Sequence, residues 1–151
     1  MLKIAVEPLS AIKEECKSLI ESHWRETTAW EDILLDPDWN VYDHLEKANI
    51  IVIYTVRNEE NKLVGYSVFF VRKNPHYKQH TWALNDMIWV HPNYRDGKIG
   101  RRLAKFWEED LKKRGVDVIH VTALITHPAL GFVLKCEKYR SVDIVYQKRI
   151  A

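Results

Sequence analysis

Apolar positions along this chain fall into two spacings, one typical of strands and one typical of helices. Leu2, Ile4 and Val6 alternate with polar residues and predict a short first strand. From Ser10, a candidate N-cap, apolar residues recur every three or four positions and predict a first helix. After an Asp-Pro-Asp turn signal, residues 41–47 predict a second, shorter helix. We therefore expect a strand followed by two helices at the start of the chain.

The middle of the chain predicts three strands joined by turns. Residues 50–57, 63–72 and 82–90 are rich in β-branched and apolar side chains. Asn-containing and Pro-containing turns separate them, which favours antiparallel pairing of consecutive strands.

The rest of the chain predicts a helix, a strand, another helix and a last strand. The first of these helices begins near Ile99 and ends at Gly115, and a strand follows over 116–124. A helix over 128–138 and a final strand over 142–150 complete the pattern. Because a helix connects them, the strands before and after it are expected to lie parallel through a right-handed crossover.

Size and composition fit one domain over residues 1–151 and exclude several functions. The net charge of +2 is too small to indicate a nucleic-acid partner, and the seven histidines show no metal-site spacing. No targeting segment and no apolar run of membrane length occurs. The two isolated cysteines, Cys16 and Cys136, are expected to be reduced and buried. We expect a cytoplasmic protein with no metal, no membrane association and no nucleic-acid partner.

The segment from Val90 to Leu103 carries the clearest functional signal. It follows a strand, contains Gly97 and Gly100, and opens a helix. The first N–H groups of a helix lack internal partners and the helix dipole is positive there, so a phosphate is favoured. An ordinary strand-to-helix turn is the alternative. Five basic residues crowd the segment and the following helical turns: Arg95, Lys98, Arg101, Arg102 and Lys105.

This segment resembles the acetyl-coenzyme A motif of the Gcn5-related N-acetyltransferase (GNAT) superfamily. The family pattern is Gln/Arg-x-x-Gly-x-Gly/Ala after the fourth strand, and residues 95–100 read Arg-Asp-Gly-Lys-Ile-Gly. Arg95, Ile99 and Gly100 fit the pattern, whereas Lys98 replaces the middle glycine and Gly97 lies one position earlier. The element order is similar to the family over nearly the whole chain.

The resemblance implies an α+β (mixed α/β) fold with a mostly antiparallel sheet, whose parallel fourth and fifth strands splay apart. The pantetheine arm of acetyl-CoA would pair with the edge of the fourth strand, and loop amides would hold the pyrophosphate. Arg101, Arg102 or Lys105 would meet the 3′-phosphate. The implied cofactor-binding residues are Ile88, Trp89, Val90, Arg95, Asp96, Gly97, Lys98, Ile99, Gly100 and Arg101.

The helix over 128–138 departs from the family. Family members begin this helix with Asn and carry a Tyr that protonates the leaving thiolate, but here His127 and Leu134 stand at those positions. His127 is therefore a candidate catalytic residue that donates a hydrogen bond as Asn does. The alternative is that it only caps the helix before Pro128.

Asp86 is the candidate general base. An amine acceptor arrives protonated, so a base near the separated strands must remove its proton. Asp86 interrupts an apolar strand and, by alternation, shares a face with Ile88 and Val90 unless a bulge intervenes. Asn85 is the candidate orienting partner. The alternatives for Asp86 are a hydrogen-bonded structural carboxylate or an anchor for a cationic substrate.

Four aromatic residues are expected to line the acceptor pocket, although large aromatics also fill cores: Trp30, Trp39, Tyr42 and Tyr77. The expected function is an acetyl-CoA-dependent N-acetyltransferase that moves an acetyl group to a primary amine of a small molecule or protein by direct attack on the thioester. The alternative is a catalytically silent domain of this fold that binds coenzyme A or a protein partner. A homodimer is left open.

Overall fold

A five-stranded sheet with helices on both faces forms the core of the protein, and the computed structural model describes all 151 residues. The strands are β1 Lys3–Val6, β2 Ile51–Arg57, β3 Leu63–Asn74, β4 Tyr77–Val90 and β5 Val118–His120. The helices are α1 Leu9–Thr27, α2 Trp39–Lys47, α3 Ile99–Lys113 and α4 Pro128–Cys136, and a 3₁₀ turn spans Pro92–Tyr94. None of the helices combines the length and the apolar character needed to span a bilayer.

The strands lie in chain order across the sheet, from β1 to β5. The first four strands pair antiparallel, whereas β4 and β5 pair parallel. The chain returns through α3 to place β5 beside β4, as a strand–helix–strand unit requires. These findings confirm the predicted fold class, a mostly antiparallel mixed sheet flanked by helices.

Each face of the sheet has its own apolar core, because successive residues of a strand point to opposite faces. One core lies beneath α3 and α4 and contains Trp107, which is fully buried. The other lies beneath α1 and α2 and contains Cys16, Tyr66 and Trp89. The helical spacing of apolar residues in α3 therefore predicted a face that is buried in the structure.

Three local predictions are wrong. Residues 142–150 have no regular secondary structure, and their apolar side chains, such as Ile144 and Tyr146, are exposed. Alternation alone does not provide a neighbouring edge, and a strand needs a partner to form. The parallel strand is also shorter than predicted, because β5 ends at His120. Helix α1 begins at Leu9, so Ser10 lies inside the helix and is not its N-cap.

The two free cysteines differ in environment. Cys16 is buried under α1, and burial raises the pKa of its thiol to about 11. Cys136 lies exposed at the end of α4, so the prediction that both thiols are buried is correct for Cys16 only.

An ion-pair cluster at the end of β2 predicts a loss of stability in acid. The Arg57 guanidinium donates to Glu7 at 2.8 Å and to Glu15 at 2.8 Å, and only 12 % of the Arg57 side chain is exposed. The hydrogen bond from Arg57 lowers the pKa of Glu7. Burial opposes ionisation of Glu15, but hydrogen bonds from the Leu63 N–H and Arg57 outweigh it and lower the pKa of Glu15.

Because both pKa values are lower in the folded chain, the cluster contributes fully above the ordinary value of 4.5 and is lost as the pH falls through the folded values. We expect the Tm of the protein to fall as the pH is lowered below that value. In an Arg57→Gln variant the Tm should be lower at neutral pH and depend less on acid. Thermal unfolding followed by circular dichroism would check this, and an equal acid dependence in the two proteins would contradict it.

Candidate active site

Strands β4 and β5 separate beyond Leu84, which opens a gap in the sheet. The parallel pairing ends with Leu84 opposite His120. At the next position the Asn85 side chain bridges the strands, because its Oδ1 accepts from the Thr122 N–H at 2.7 Å and its Nδ2 lies 3.4 Å from the Thr122 carbonyl. An amide side chain carries the same donor and acceptor as a peptide group, so it closes the base of the gap. From Asp86 onwards this edge of β4 has no strand partner.

Asp86 is the extra residue of a β-bulge in β4. Asn85 and Met87 pair with the consecutive β3 residues Phe69 and Val68, so no residue lies opposite Asp86. A bulge of this kind changes the direction of the side chain that it carries and bends the strand. The Asp86 side chain is exposed at the point where β4 loses its neighbour.

The bulge turns the Asp86 carboxylate toward α2. Its Oδ2 accepts a hydrogen bond from the Tyr42 hydroxyl at 2.6 Å, whereas Oδ1 has no partner in the chain. Burial and this bond raise the pKa of Tyr42, so the hydroxyl keeps its proton and remains a donor. Asp86 was expected to share a face with Ile88 and Val90 unless a bulge intervened, and the bulge does intervene and shifts the alternation. Tyr42, and not Asn85 as predicted, orients the carboxylate.

Main-chain groups of Ile88 and Val90 face the gap. The His91 N–H donates to β3 at 2.8 Å, and alternation then directs the groups at 88 and 90 away from β3. The Val90 carbonyl accepts from Arg95 Nε at 2.8 Å on that side. Trp89, one of the cofactor-binding residues that the resemblance implies, has its main chain facing β3 and its indole buried beneath α1.

The loop after β4 offers fewer free donors than predicted. The Asp96 carboxylate accepts from the Lys98 N–H at 2.9 Å and the Ile99 N–H at 2.7 Å, and these bonds lower the pKa of Asp96. The Asp96 N–H itself donates to the Tyr94 carbonyl at 3.1 Å. The expectation that every donor of the loop is unpaired is therefore wrong, because a carboxylate of the loop satisfies the helix N-terminus as an anionic ligand would.

Three donors remain: the N–H groups of Gly97, Gly100 and Arg101 have no acceptor in the chain. Gly97 has a φ of +74°, a conformation that favours glycine, and nothing lies within 4 Å of the place a Cβ would take. Lys98 has a φ of −114°, so the loop does not need glycine at that position. A Cβ on Gly100 would lie 3.0 Å from the Val133 side chain, so this glycine allows α3 to approach α4.

The basic side chains near the loop differ in whether they form hydrogen bonds or ion pairs within the protein. Arg101 Nε donates to Glu137 at 2.5 Å, and Arg102 donates to a backbone carbonyl of the amino terminus at 2.7 Å. Lys98 and Lys105 are exposed and form no ion pair. Of the three residues considered for a 3′-phosphate, only Arg101 is paired with a carboxylate, and Lys105 is the one whose side chain makes neither a hydrogen bond nor an ion pair.

A polar cluster that the sequence does not reveal joins α1 to the loop. Glu26, in the last turn of α1, accepts from Trp89 Nε1 at 2.8 Å and from Arg95 Nη2 at 2.7 Å through the same oxygen, Oε2. The hydrogen bond from Arg95 lowers the pKa of Glu26, and the bond from Trp89 adds to this. His23 stacks on Trp89, and burial lowers its pKa to about 4. No sequence motif distinguishes Glu26 from the other acidic residues of α1.

In α4, Leu134, which the resemblance places at the position of the family's Tyr, is buried in the core and carries no proton to donate. His127 precedes the helix, is exposed, and its Nδ1 lies 3.1 Å from the Thr126 hydroxyl. It makes no side-chain cap of α4.

The four predicted acceptor aromatics do not form one group. Trp30 in the loop after α1 and Trp39 and Tyr42 on α2 are half-buried. Tyr77 is 57 % exposed at the start of β4, where the β3–β4 hairpin turns. At ~3.3 Å per residue it lies about 30 Å along the strand from Asp86. The prediction that Tyr77 lines the same pocket is therefore wrong.

The fold and the gap define a class of protein, the acetyltransferases whose fourth and fifth strands part. Residues 16–137 match the model of the acetyltransferase (GNAT) family, and the chain belongs to this family. This confirms the resemblance found in the sequence. A comparison with curated proteins gives no match.

Several solved structures share the fold over their full length. A ribosomal-protein-alanine N-acetyltransferase from Brucella melitensis biovar Abortus 2308 has a TM-score of 0.75 and 19 % identity, with 100 % of both chains covered. An aminoglycoside acetyltransferase from an uncultured soil metagenomic sample has a TM-score of 0.77 and 17 % identity, covering 99 % of this chain and 95 % of that one. An acetyltransferase of Clostridium acetobutylicum, solved with acetyl-CoA, has a TM-score of 0.70 and 13 % identity, covering 99 % and 96 %. At these identities the likeness establishes the fold alone.

Proposed function

We propose that the protein transfers the acetyl group of acetyl-CoA to a primary amine of a small molecule or protein, by direct attack of the amine on the thioester. Family membership supports an acetyltransferase. One observation carries the finer proposal. Asp86 places a carboxylate with a free oxygen at the point where β4 leaves β5, and Tyr42 holds it there.

The residues around the gap suit the parts of acetyl-CoA. The outward main-chain groups of Ile88 and the outward N–H of Val90 match the amides of the pantetheine arm, whereas the Val90 carbonyl is already held by Arg95. The free N–H groups at 97, 100 and 101 suit the pyrophosphate, and Lys105 suits the 3′-phosphate. The Asp96 carboxylate would have to turn away to release the donors at 98 and 99. When bound, acetyl-CoA supplies a thioester carbonyl that a neutral amine can attack.

In this proposal Asp86 removes the proton that an acceptor ammonium carries into the site. Its Oδ1 is free to accept that proton, while Oδ2 is fixed by the Tyr42 hydroxyl. A thiolate is a good leaving group and departs without a dedicated acid, so the Leu134 replacement is compatible with turnover. The half-buried Trp39 and the Tyr42 ring lie on the side from which the amine would approach.

A second candidate is the catalytically silent domain that binds coenzyme A or a protein partner. Two observations favour it. Leu134 removes the family's general acid, and the Asp96 carboxylate occupies two of the donors that the pyrophosphate would use.

Calorimetry and a thiol-release assay separate the two candidates. We expect acetyl-CoA to bind to the purified protein and a panel of primary amines to include at least one that accelerates thiol release. The panel should contain a diamine, an aminoglycoside, an amino sugar and a peptide with a free amino terminus. Binding without turnover on any amine would support the silent domain. Absence of binding would contradict the acetyltransferase and leave only a silent domain that binds a protein partner.

A further inference from the structure

The Arg95 side chain does not point toward the place of the phosphates. Its Nε donates to the Val90 carbonyl at 2.8 Å, and its Nη2 donates to Glu26 at 2.7 Å. Arg95 is the first residue of the loop, so its side chain ties the beginning of the loop to the end of β4 and to the end of α1. The Arg95 guanidinium is thus bonded to protein groups of β4 and α1.

Glu26 is more than a surface partner of this arginine. Its Oε2 accepts from Trp89 as well as from Arg95, so one oxygen joins α1, β4 and the loop. The Glu26 side chain is 24 % exposed, whereas that of Arg95 is 41 % exposed. An exposed pair contributes little to stability, but a carboxylate held by two donors from different elements has a defined position.

We propose that Glu26 is a positioning residue for the cofactor loop. Through Arg95 it fixes the direction in which the chain leaves β4, and so the direction in which the N–H groups of Gly97, Gly100 and Arg101 face the gap. This inference rests on the proposed function, because it assigns those groups to the pyrophosphate of acetyl-CoA. The proposal adds a residue of α1 to those that determine the affinity for acetyl-CoA.

The test compares Glu26→Gln with the wild-type protein. Gln keeps an acceptor for Trp89 and Arg95 but removes the charge that orients the guanidinium. We expect the Kd for acetyl-CoA, measured by calorimetry, to rise about tenfold. With the most active amine of the panel, the KM for acetyl-CoA should rise by a similar factor while kcat stays within about twofold. Arg95→Lys, which cannot make both hydrogen bonds, should have the same effect from the other side of the pair.

Glu21→Gln is the matched control. Glu21 is an exposed residue of α1, one to two turns from Glu26, and it also pairs with an arginine, but this arginine is Arg25 of the same helix. The Glu21→Gln variant should leave the Kd and the KM unchanged. If the wild-type protein binds acetyl-CoA and Glu26→Gln binds it equally well, the positioning role is overturned and the proposed function stands. If kcat falls with an unchanged KM, Glu26 acts on the reaction itself and the inference is also overturned. A wild-type protein that binds no acetyl-CoA would refute the proposed function instead.

Discussion

Replacing Asp86 with Asn is expected to lower kcat by about 10²–10⁴-fold, the usual contribution of a general base. Asn has the same shape and can still accept the hydrogen bond from Tyr42, but it cannot take a proton at neutral pH. The Kd for acetyl-CoA should not change, because the groups assigned to the cofactor are main-chain groups of Ile88, Val90 and the loop and do not include the Asp86 side chain. Steady-state kinetics and calorimetry on the same preparation measure the two quantities.

Two further variants define what the Asp86 result means. Asp36→Asn is the matched control, because Asp36 is exposed near α2 and makes no hydrogen bond, and it should leave kcat unchanged. Tyr42→Phe removes the hydroxyl that orients Asp86 and should lower kcat by about tenfold, since it frees the carboxylate without removing it. An unchanged kcat in Asp86→Asn would remove this residue from the mechanism. A large rise in the Kd for acetyl-CoA would indicate a structural carboxylate.

The periodicity of apolar residues predicted the buried elements well, because burial is what selects those residues. The stripe of Ile99, Leu103, Trp107 and Leu111 is buried as α3, and the strand-like segments 50–57 and 63–72 form the centre of the sheet. The segment 142–150 has the same alternation without burial. An alternating segment can pair with the edge of a sheet, but whether a free edge lies beside it depends on the rest of the fold.

The sequence indicates the loop of the candidate site but not the side-chain contacts around it. Two glycines between a strand and a helix are visible in the sequence, and the structure places Gly97 in the left-handed region. The bulge at Asp86 depends on register, and a shift of one residue reverses the direction of a side chain. The contact between Glu26 and Arg95 joins residues 69 positions apart, and no local pattern encodes such a pair.

The hydrogen bonds from the loop N–H groups to the Asp96 carboxylate are another contact that depends on a side chain. An Asp two or three residues before the first free N–H groups of a helix satisfies them as an N-cap does, a role that we did not predict from the sequence beside phosphate binding. The two are compatible only if the carboxylate exchanges with the pyrophosphate. Side-chain rotation of an exposed residue is fast, so the exchange imposes a cost in affinity and not in rate.

The second large effect is expected at Gly97. Replacing Gly97 with Val forces a β-branched residue to φ +74° or forces the loop to change conformation, and the strained state costs about 1–3 kcal/mol. A changed conformation rotates the peptide groups on both sides of residue 97 and displaces the free Gly97 N–H. A hydrogen bond to a charged group contributes about 1.5–3 kcal/mol, so we expect its loss to raise the Kd for acetyl-CoA about 100-fold in calorimetry.

Gly115→Val separates the loss of donors from the loss of stability. Gly115 follows α3 with a φ of +77°, and no atom lies within 4 Å of the place its Cβ would take, as at Gly97. The two variants therefore carry the same kind of backbone strain, and their Tm values should fall by similar amounts. Only the Gly97 variant should lose affinity for acetyl-CoA, because the Gly97 N–H is one of the free donors assigned to the pyrophosphate, whereas the Gly115 N–H is bonded to Lys112. Equal affinities in the two variants would mean that the loop does not hold the pyrophosphate through its main chain, and the assignment of the free donors at 97, 100 and 101 would then be wrong.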